Sequence, residues 1–482
     1  MLRGVRRPDL PASATATRRI RDLPGPPGLP LVGNLFQLDI ATLHRTVEKW
    51  HRQYGDYYRF RNTRNEMMVV ADPETIGTLL RDRPDGFQRT SRMSKIADSM
   101  GFHGVFSANG ARWRRQRPMV MAGLDPAHVK SYFPALVRVT ERFARRWQRA
   151  ADASATIELQ TDLMRYTVDV TAGLAFGADI NTIESDEDVI QQHLDKVLPA
   201  LFSRLMAPFE YWRYLKLPRD RALSRHLEAL QGAVNGFIAT ARQRMQEEPA
   251  RRAAPTNLIE AMIAARDTEG SGVDDGDVAG NVLTMLLAGE DTTANTLAWM
   301  IWLLGRNPAA LERARAEVLS VLGNERLPSR YEQLGALPYV EACANETMRL
   351  KPVAPILILE AIRDTVVAGI EVPARQLIMC LMRPPAVDEK YFPDPQSFEP
   401  PRWLESGARS ASSAKRVAMP FGAGPRLCPG RYLAKLEMKM VMAMLLAEFE
   451  LDAVGTADGA EPRERMAFTM QPVGLRMQLS RR

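Results

Sequence analysis

Apolar residues recur with helical spacing over most of this chain, and polar or proline-bearing loops separate the repeats. This pattern predicts long helices, among them Thr42 to Tyr54, Pro134 to Ala150, Gln160 to Phe176, Arg221 to Glu247 and Tyr339 to Leu350. Two short runs, Tyr57 to Arg61 and Glu66 to Val70, predict a pair of strands, and Asp72-Pro73-Glu74 opens a further helix. The chain is therefore expected to be mainly α-helical with a smaller β-rich portion.

One predicted helix is much longer than the others. Acidic residues between Asp274 and Asp277 suit its N-terminus, and Gly305-Arg306-Asn307-Pro308 ends it, so it holds about thirty residues. It is apolar enough to run through the core. In its middle, Gly289 and Thr292 share a face, where a glycine and a threonine hydroxyl can loosen the backbone ladder and open a groove.

A loop rich in glycine and proline surrounds Cys428, and it runs from Phe421 to Gly430. A predicted helix begins directly afterwards, at Arg431, so Cys428 lies just before a helix N-terminus. Free N–H groups and the positive end of the helix dipole there favour a thiolate, which is a nucleophile or a metal ligand. The loop's glycines permit tight turns and close approach of a flat group, and Arg426 can donate to a carboxylate.

Composition narrows the function classes. The hydrophobic fraction of 45% and the charged fraction of 25% are ordinary for a soluble globular protein. The net charge of +7 is modest, so nucleic-acid binding is not indicated. The three cysteines form no Cys-x-x-Cys pair, which disfavours a disulfide scaffold and suits the cytoplasm, and no His-Glu-x-x-His spacing supports a zinc hydrolase.

The first 22 residues are basic and contain alanine, serine and threonine. They include no apolar run long enough for a signal peptide or a transmembrane segment, and we expect a disordered leader on a bacterial, cytoplasmic protein. A mitochondrial transit peptide is the alternative, since its composition overlaps with this one. Proline-dense Leu23 to Asn34 predicts a stiff, extended segment and no helix.

The cysteine loop resembles a known pattern. Phe-x-x-Gly-x-Arg-x-Cys-x-Gly is the haem-binding loop of the cytochromes P-450, and its fixed positions are filled by Phe421, Gly424, Arg426, Cys428 and Gly430. The resemblance implies non-covalent haem b with Cys428 as the proximal thiolate ligand of the iron, which favours O–O cleavage. From the residues alone, a buried structural cysteine beside a turn is the alternative.

The middle of the long helix carries a second resemblance. Ala288 to Thr293 is similar to the family's oxygen-activation motif, Ala/Gly-Gly-x-Asp/Glu-Thr-Thr/Ser. This implies that Ala288 and Gly289 lie over the haem and leave room for O₂, that Thr292 holds the activated oxygen and water, and that Asp291 relays protons. The alternative is an ordinary helix whose polar residues face a neighbouring helix.

Two further segments are similar to structural parts of the family. Glu346 and Arg349 lie three apart on one helix, suited to an ion pair, and Phe398 to Trp403 resembles a segment whose arginine, here Arg402, joins that pair. The resemblance implies a triad that braces the haem loop and takes no part in catalysis.

The residues that hold the haem propionates are only partly matched. Trp113 and Arg117, in a helix that Pro118 is expected to kink or end early, fill positions that bind a propionate in the family. Many members place another arginine where this chain has Leu359, and a His-Arg pair where it has Ala386-Val387. Arg383 is the candidate to replace the missing propionate-binding arginine.

The resemblance spans Leu23 to Arg482 and implies the cytochrome P-450 fold, with the long central helix over the haem. The implied activity is a monooxygenase that hydroxylates or epoxidises an apolar small molecule. Electrons from NAD(P)H would come through a separate ferredoxin- or flavodoxin-type donor, because the tail after Cys428 is too short for a flavin domain. Basic residues near the cysteine can dock that donor, namely Arg114, Arg115, Lys435 and Lys439.

The substrate pocket is expected among five largely apolar segments: Phe87 to Phe106, Leu201 to Tyr214, Leu283 to Ala288, Val353 to Leu357 and Ala467 to Met470. Two alternatives to the monooxygenase remain. One is a haem-thiolate peroxygenase or isomerase that needs no electron donor, and the other is a non-catalytic haem-binding protein.

Overall fold

The computed structural model describes residues 18–63, 65–124, 126–185, 189–207, 209–404 and 411–482. Its helices are Leu43–Tyr54 (α1), Pro73–Arg81 (α2), Ser91–Ser99 (α3), Gly110–Gly123 (α4), Pro126–Ser131 (α5), Phe133–Asp152 (α6), Leu159–Phe176 (α7), Val189–Met206 (α8), Pro218–Glu247 (α9), Leu258–Asp267 (α10), Asp275–Arg306 (α11), Pro308–Leu322 (α12), Tyr331–Gly335 (α13), Pro338–Leu350 (α14), Arg383–Ala386 (α15), Ala411–Ala418 (α16) and Arg431–Glu448 (α17). Its strands are Arg18–Arg19 (β1), Tyr57–Asn62 (β2), Asn65–Val70 (β3), Phe87–Arg89 (β4), Ile157–Glu158 (β5), Ile356–Ala361 (β6), Thr365–Val367 (β7), Ile370–Val372 (β8), Leu377–Leu381 (β9), Phe449–Gly455 (β10), Arg463–Met466 (β11), Met470–Val473 (β12) and Arg476–Arg481 (β13). The mainly α-helical fold with a smaller β-rich portion is confirmed.

Helix α11 is the axis of the fold. It holds 32 residues, and the Asp274 side chain caps it by accepting a hydrogen bond from the Asp277 N–H at 2.7 Å. Most of its residues are buried, because α7, α9, α10 and α14 pack around it. The length predicted from the sequence is confirmed. A helix covered on all sides can present polar groups only where a cavity interrupts the packing.

A five-stranded sheet, in the order β2-β3-β9-β6-β4, lies beside the helices. The predicted strand pair is its β2–β3 hairpin, with Tyr57 opposite Val70. Strand β6 pairs on one side with β9 and on the other with β4, where Gln88 faces Glu360 and Arg89 faces Leu359. Residues of β4 and β6 therefore lie side by side at the edge of the sheet that β4 forms.

The described chain begins five residues before Leu23, the boundary expected from the sequence. Arg18 and Arg19 form β1, which pairs in parallel with β8. Ile20 is buried in an apolar cluster with Ile370 and Val372, so this part of the basic leader is folded onto the domain. The leader predicted for residues 1–17 lies outside the described residues.

Helix α4 continues to Gly123, so the early end expected after Pro118 is wrong. The last turn of α4 is held by tertiary packing: Met119 and Val120 are buried, and a Cβ on Gly123 would lie 2.2 Å from Leu258 Cδ1 of α10. Packing therefore outweighs the hydrogen bond that proline removes. In the described part of the chain, no helix is long and apolar enough to cross a membrane.

Candidate active site

A cavity of about 870 Å³ separates the middle of α11 from the loop that precedes α17. Ten residues were predicted as site residues, and nine of them line it: Trp113, Arg117, Ala288, Gly289, Thr292, Phe421, Arg426, Cys428 and Gly430. The structure thus brings together residues that lie more than 300 positions apart in the chain. The tenth, Asp291, does not line the cavity.

Backbone contacts shape the Cys428 loop. The Cys428 N–H donates to the Phe421 carbonyl at 3.0 Å, which closes the loop. Gly424 has a φ of +71°, and a Cβ there would lie 2.5 Å from the Leu80 carbonyl oxygen, so only glycine fits between the loop and α2. A Cβ on Gly430 would meet no protein atom within 4 Å, which leaves open space beside the sulfur.

The pKa of the Cys428 thiol is raised above its usual value, because burial outweighs the Gly430 N–H and the positive charges of Arg117 and Arg431. The backbone N–H at the start of α17 lowers the pKa, as expected from the sequence, but burial has the larger effect. A stable thiolate at this depth needs a further positive charge next to the sulfur, such as a metal ion.

The polar turn of α11 faces the cavity without breaking the helix. Ala288 is exposed although Leu287 before it is buried, since the surface of Ala288 is part of the cavity wall. The Thr292 hydroxyl donates to the Ala288 carbonyl at 2.9 Å, and the helix runs on unbroken to Arg306. Thr292 is therefore in place to offer its oxygen as an acceptor to a molecule in the cavity.

Gly289 is needed for helix packing. A Cβ built there would lie 2.3 Å from Thr171 Oγ1 and 3.0 Å from Thr171 Cγ2, both on α7. The close contact between α7 and α11 thus accounts for the glycine, whereas the resemblance assigned it to making room for O₂. The Thr171 hydroxyl is buried and has no hydrogen-bond partner among the described residues.

Asp291 points away from the cavity. It accepts a hydrogen bond from Asn295 Nδ2 at 2.7 Å and a short one from the Thr469 hydroxyl, in the turn between β11 and β12. Burial raises the pKa of Asp291, although both hydrogen bonds lower it. Because Thr469 itself lines the cavity, Asp291 reaches the cavity only through that hydroxyl.

Arginines converge on one end of the cavity. Arg426 donates to the Ala108 carbonyl at 2.7 Å, and its guanidinium carbon lies 4.8 Å from the centroid of the Trp113 ring. Arg117 donates to the Leu427 carbonyl. Arg83 and Arg89 join this group, and neither was predicted from the sequence.

The arginine cluster has no carboxylate partner among the described residues. Burial and mutual repulsion lower the pKa of Arg426 to about 9, and burial together with Arg83 lowers the pKa of Arg89 to about 9. The Nε atoms of Arg89 and Arg426 are buried without hydrogen-bond partners. Unpaired buried cations are costly, so this end of the cavity fits an anionic group of a ligand.

Arg383, the substitute suggested by the sequence, is wrong for this role. Its guanidinium forms ion pairs with Glu48 at 2.7 Å and with Glu464 at 2.9 Å. Glu464 also pairs with Lys351 and His44, so Arg383 belongs to a buried ion network outside the cavity. Because two carboxylates already neutralise the Arg383 guanidinium, it is not available to bind a third carboxylate.

Glu437 is a cavity residue that sequence reasoning missed. It lies on α17 with 1% of its surface exposed, its Oε1 has no hydrogen-bond partner among the described residues, and Thr293 bonds to its side chain. Burial raises its pKa well above the usual value, which favours the protonated form of the carboxyl. The sequence signal that could have identified Glu437 is its position: it is an acidic residue on the otherwise apolar face of α17 that packs into the core.

The structural triad is confirmed as a set of contacts. Glu346 accepts hydrogen bonds from Arg349 Nε at 2.8 Å, Arg402 Nε at 3.0 Å and Trp403 Nε1 at 2.8 Å. Glu346 and Arg349 are fully buried. The triad therefore ties α14 to the segment that leads towards the cysteine loop.

The basic residues expected to dock an electron donor are largely paired. Lys435 and Lys439 bind Glu341 at 2.7 and 2.9 Å. Although burial raises the pKa of Glu341, these two lysines lower it to about 2. Arg114 pairs with Asp85. The positive charge of this surface is thus partly neutralised within the chain itself.

Comparison with known proteins defines the class of enzyme. The family model described as Cytochrome P-450 matches residues 23–479. The chain belongs to the cytochrome P-450 family, and it is an oxidoreductase of the haem-thiolate monooxygenase class. The cavity fits that cofactor, since it combines a thiol, open space beside it and buried guanidinium donors without partners.

Three curated proteins illustrate the similarity. The protein LUTEIN DEFICIENT 5, chloroplastic, of Arabidopsis thaliana is 24% identical over 85% of this chain and 69% of its own length. Cyclooctat-9-en-7-ol 5-monooxygenase of Streptomyces melanosporofaciens is 27% identical over 89% of this chain and 92% of its own length. The self-sufficient cytochrome P-450 monooxygenase CYP505E3 of Aspergillus terreus is 26% identical over 96% of this chain, which spans only 43% of that fungal protein.

Proposed function

We propose that this chain is a monooxygenase in which the Cys428 sulfur would bind a haem iron and an apolar small molecule would be oxidised in the cavity. The observation that carries the proposal is the shared cavity between the Cys428 loop and the Ala288 to Thr292 turn of α11. The bound haem supplies O₂ activation and the transfer of one oxygen atom to the substrate, while the other leaves as water with two electrons and two protons.

The chain's own residues have separate roles in this proposal. Phe421 and Gly430 shape the protein surface next to the sulfur. Thr292 offers its hydroxyl oxygen as an acceptor to a water in the cavity. Asp291, when protonated, can pass its proton to the Thr469 oxygen, and the Thr469 hydroxyl, which lines the cavity, then releases its own proton there. Glu437, whose side chain bonds to Thr293 of α11, would hold a further proton at the cavity wall.

An apolar substrate is supported by the cavity wall. Each of the five segments expected to form the pocket contributes lining residues, including Phe202, Met206, Ile356, Leu357 and Phe468. Phe468 packs edge-on against Phe106, with the ring centroids 5.8 Å apart. Within the expected segment Leu201 to Tyr214, Phe209 does not line the cavity, and it is 66% exposed. Such a wall excludes water and binds a hydrophobic molecule.

Electrons from NAD(P)H are proposed to arrive through a ferredoxin- or flavodoxin-type donor. The fungal relatives named self-sufficient are more than twice as long as the matched region, so an enzyme that needs no separate donor is the other arrangement named among the relatives. A peroxygenase or isomerase remains the second candidate chemistry. The cytoplasmic location, with mitochondrial import as its alternative, stays a prediction.

The decisive experiment is the absorption spectrum of the dithionite-reduced protein with and without carbon monoxide. We expect a strongly red-shifted Soret band in the wild type and in Cys380→Ala, which removes another buried cysteine, and its loss in Cys428→Ala. A band that survives in Cys428→Ala would contradict the proposed ligand. Turnover with NADH, ferredoxin and its reductase, compared with turnover on hydrogen peroxide, then separates the monooxygenase from the peroxygenase.

A further inference from the structure

The Arg89 guanidinium has neither a hydrogen bond nor an ion pair with any described residue. Its Nε is buried without a partner, and its guanidinium carbon lies 4.3 Å from the centroid of the Phe106 ring. Arg89 is nevertheless fixed, because its main-chain N–H and carbonyl both bond to the Asn109 side chain, at 3.1 and 2.9 Å. A rigidly placed cation without a partner at a cavity wall indicates a missing anion.

The charged groups around Arg89 cannot supply that anion. Glu360, which pairs with the preceding residue Gln88 across the sheet, accepts hydrogen bonds from Gln88 Nε2 at 3.2 Å and from the Ser91 N–H and hydroxyl at 2.8 and 2.6 Å. Arg83 and Arg426 are positive and repel Arg89. Each of these two already donates to a main-chain carbonyl of the surrounding loops, at 3.3 and 2.7 Å.

The position of Arg89 in the sheet supplies the second argument. Arg89 is the cross-strand partner of Leu359, the residue that stands where many family members carry a propionate-binding arginine. Leu359 is fully buried in an apolar cluster of the sheet and does not line the cavity. The positive charge that reaches the cavity from this pair of residues therefore comes from Arg89 on β4.

We propose that Arg89 binds a haem propionate in this chain and takes the place of the arginine that is absent at position 359. The inference rests on the proposed haem-thiolate function. Arg89 is a cofactor-binding residue in this scheme, and Arg426 with Trp113 holds the neighbouring part of the same cluster. A forked guanidinium with free donors can bond to both oxygens of a carboxylate.

The test measures haem retention in the intact holoenzyme. Haem transfer to excess apomyoglobin is followed by absorbance for wild type, Arg89→Leu, Arg89→Lys and the control Arg383→Leu, which removes the arginine already paired with Glu48 and Glu464. The reduction potential of each protein is measured in parallel. Arg89→Lys keeps the charge but loses the forked geometry, and it covers the case in which Arg89→Leu does not fold.

We expect Arg89→Leu to release haem roughly 10- to 100-fold faster than wild type, since a charge-assisted hydrogen bond is lost. Arg89→Lys falls in between, and Arg383→Leu releases haem at the wild-type rate once corrected for the folded fraction. The potential of Arg89→Leu shifts to more negative values, because a buried positive charge that favours the reduced state is removed.

Two outcomes overturn the inference. The first refutes only the role of Arg89, and the second also refutes the proposed function. If folded Arg89→Leu and Arg89→Lys release haem at the wild-type rate with unchanged potential, while the red-shifted carbon monoxide band is intact, only the role of Arg89 is wrong. If wild type itself lacks that band, the proposed haem-thiolate function fails and this inference fails with it.

Discussion

Substituting Gly289 by alanine tests whether this glycine serves helix packing. The new Cβ would lie 2.3 Å from Thr171 Oγ1, 3.0 Å from Cγ2 and 3.2 Å from Cβ. Rotation of the Thr171 side chain gives little relief. Its Cβ carries two heavy atoms, Oγ1 and Cγ2, and both lie too close to the new Cβ of residue 289. Helices α7 and α11 must then move apart, and overpacking of this kind costs about 1–3 kcal/mol of unfolding free energy.

The partner substitution makes the prediction specific. Thr171→Ala deletes both close atoms and leaves only the contact at 3.2 Å, so the double variant Gly289→Ala/Thr171→Ala is expected to recover most of the loss. Thr171→Ala alone costs about 1 kcal/mol, since its hydroxyl has no partner to lose. Gly236→Ala in α9 is the matched control: no atom lies within 4 Å of its Cβ, and it stabilises by up to about 1 kcal/mol.

Urea unfolding followed by circular dichroism measures these free energies. Equal stability of Gly289→Ala and Gly236→Ala would refute the packing argument, as would a double variant no more stable than Gly289→Ala. Turnover of the folded double variant separates the two roles. Activity close to wild type means that Gly289 serves packing alone, whereas a stable but slow enzyme means that the glycine also leaves room for O₂.

Three further predictions concern buried carboxyl groups. Glu346→Gln leaves Arg349 buried without a full counter-charge, and chemical denaturation should show a loss of about 3–5 kcal/mol. Burial raises the pKa of Asp169 from 3.8 to about 6, so its protonated form adds stability at low pH that is lost as the pH rises to about 6. Wild type should therefore lose roughly 3 kcal/mol relative to Asp169→Asn between pH 4 and 7, and a difference independent of pH contradicts this. Glu437→Gln replaces a neutral carboxyl by an amide of the same shape, so its melting temperature at pH 7 should match wild type, whereas a large drop would indicate a carboxylate.

The parts of the fold and site that the sequence predicted are those encoded by local pattern. Helix α11, the β2–β3 hairpin and the turn at Cys428 each follow from residues within a few positions of one another. The two family motifs likewise predicted that Thr292 and Cys428 lie in one site, because members of a family share the positions of such motifs in the fold. These features need no knowledge of distant contacts.

The remaining features depend on residues far apart in the chain. Thr171 limits the size of residue 289 from another helix, and Asp291 turns towards Thr469, which comes 178 positions later. The ion pairs of Arg383 with Glu48 and of Lys435 with Glu341 also join segments that are far apart in the chain, by 335 and 94 positions. No periodicity or spacing in the sequence encodes such meetings, so the roles assigned to these residues needed the structure.

The pairing of β1 with β8 has a consequence for the behaviour of the folded protein in solution. Strand β1 covers one edge of a three-stranded sheet, and Ile20 covers the apolar cluster beneath it. Cleavage of the chain at Leu23 would leave the N–H and carbonyl groups of β8 unpaired beside an uncovered apolar surface. An open edge of this kind is a template for intermolecular strand addition, so these few basic residues protect the enzyme against aggregation.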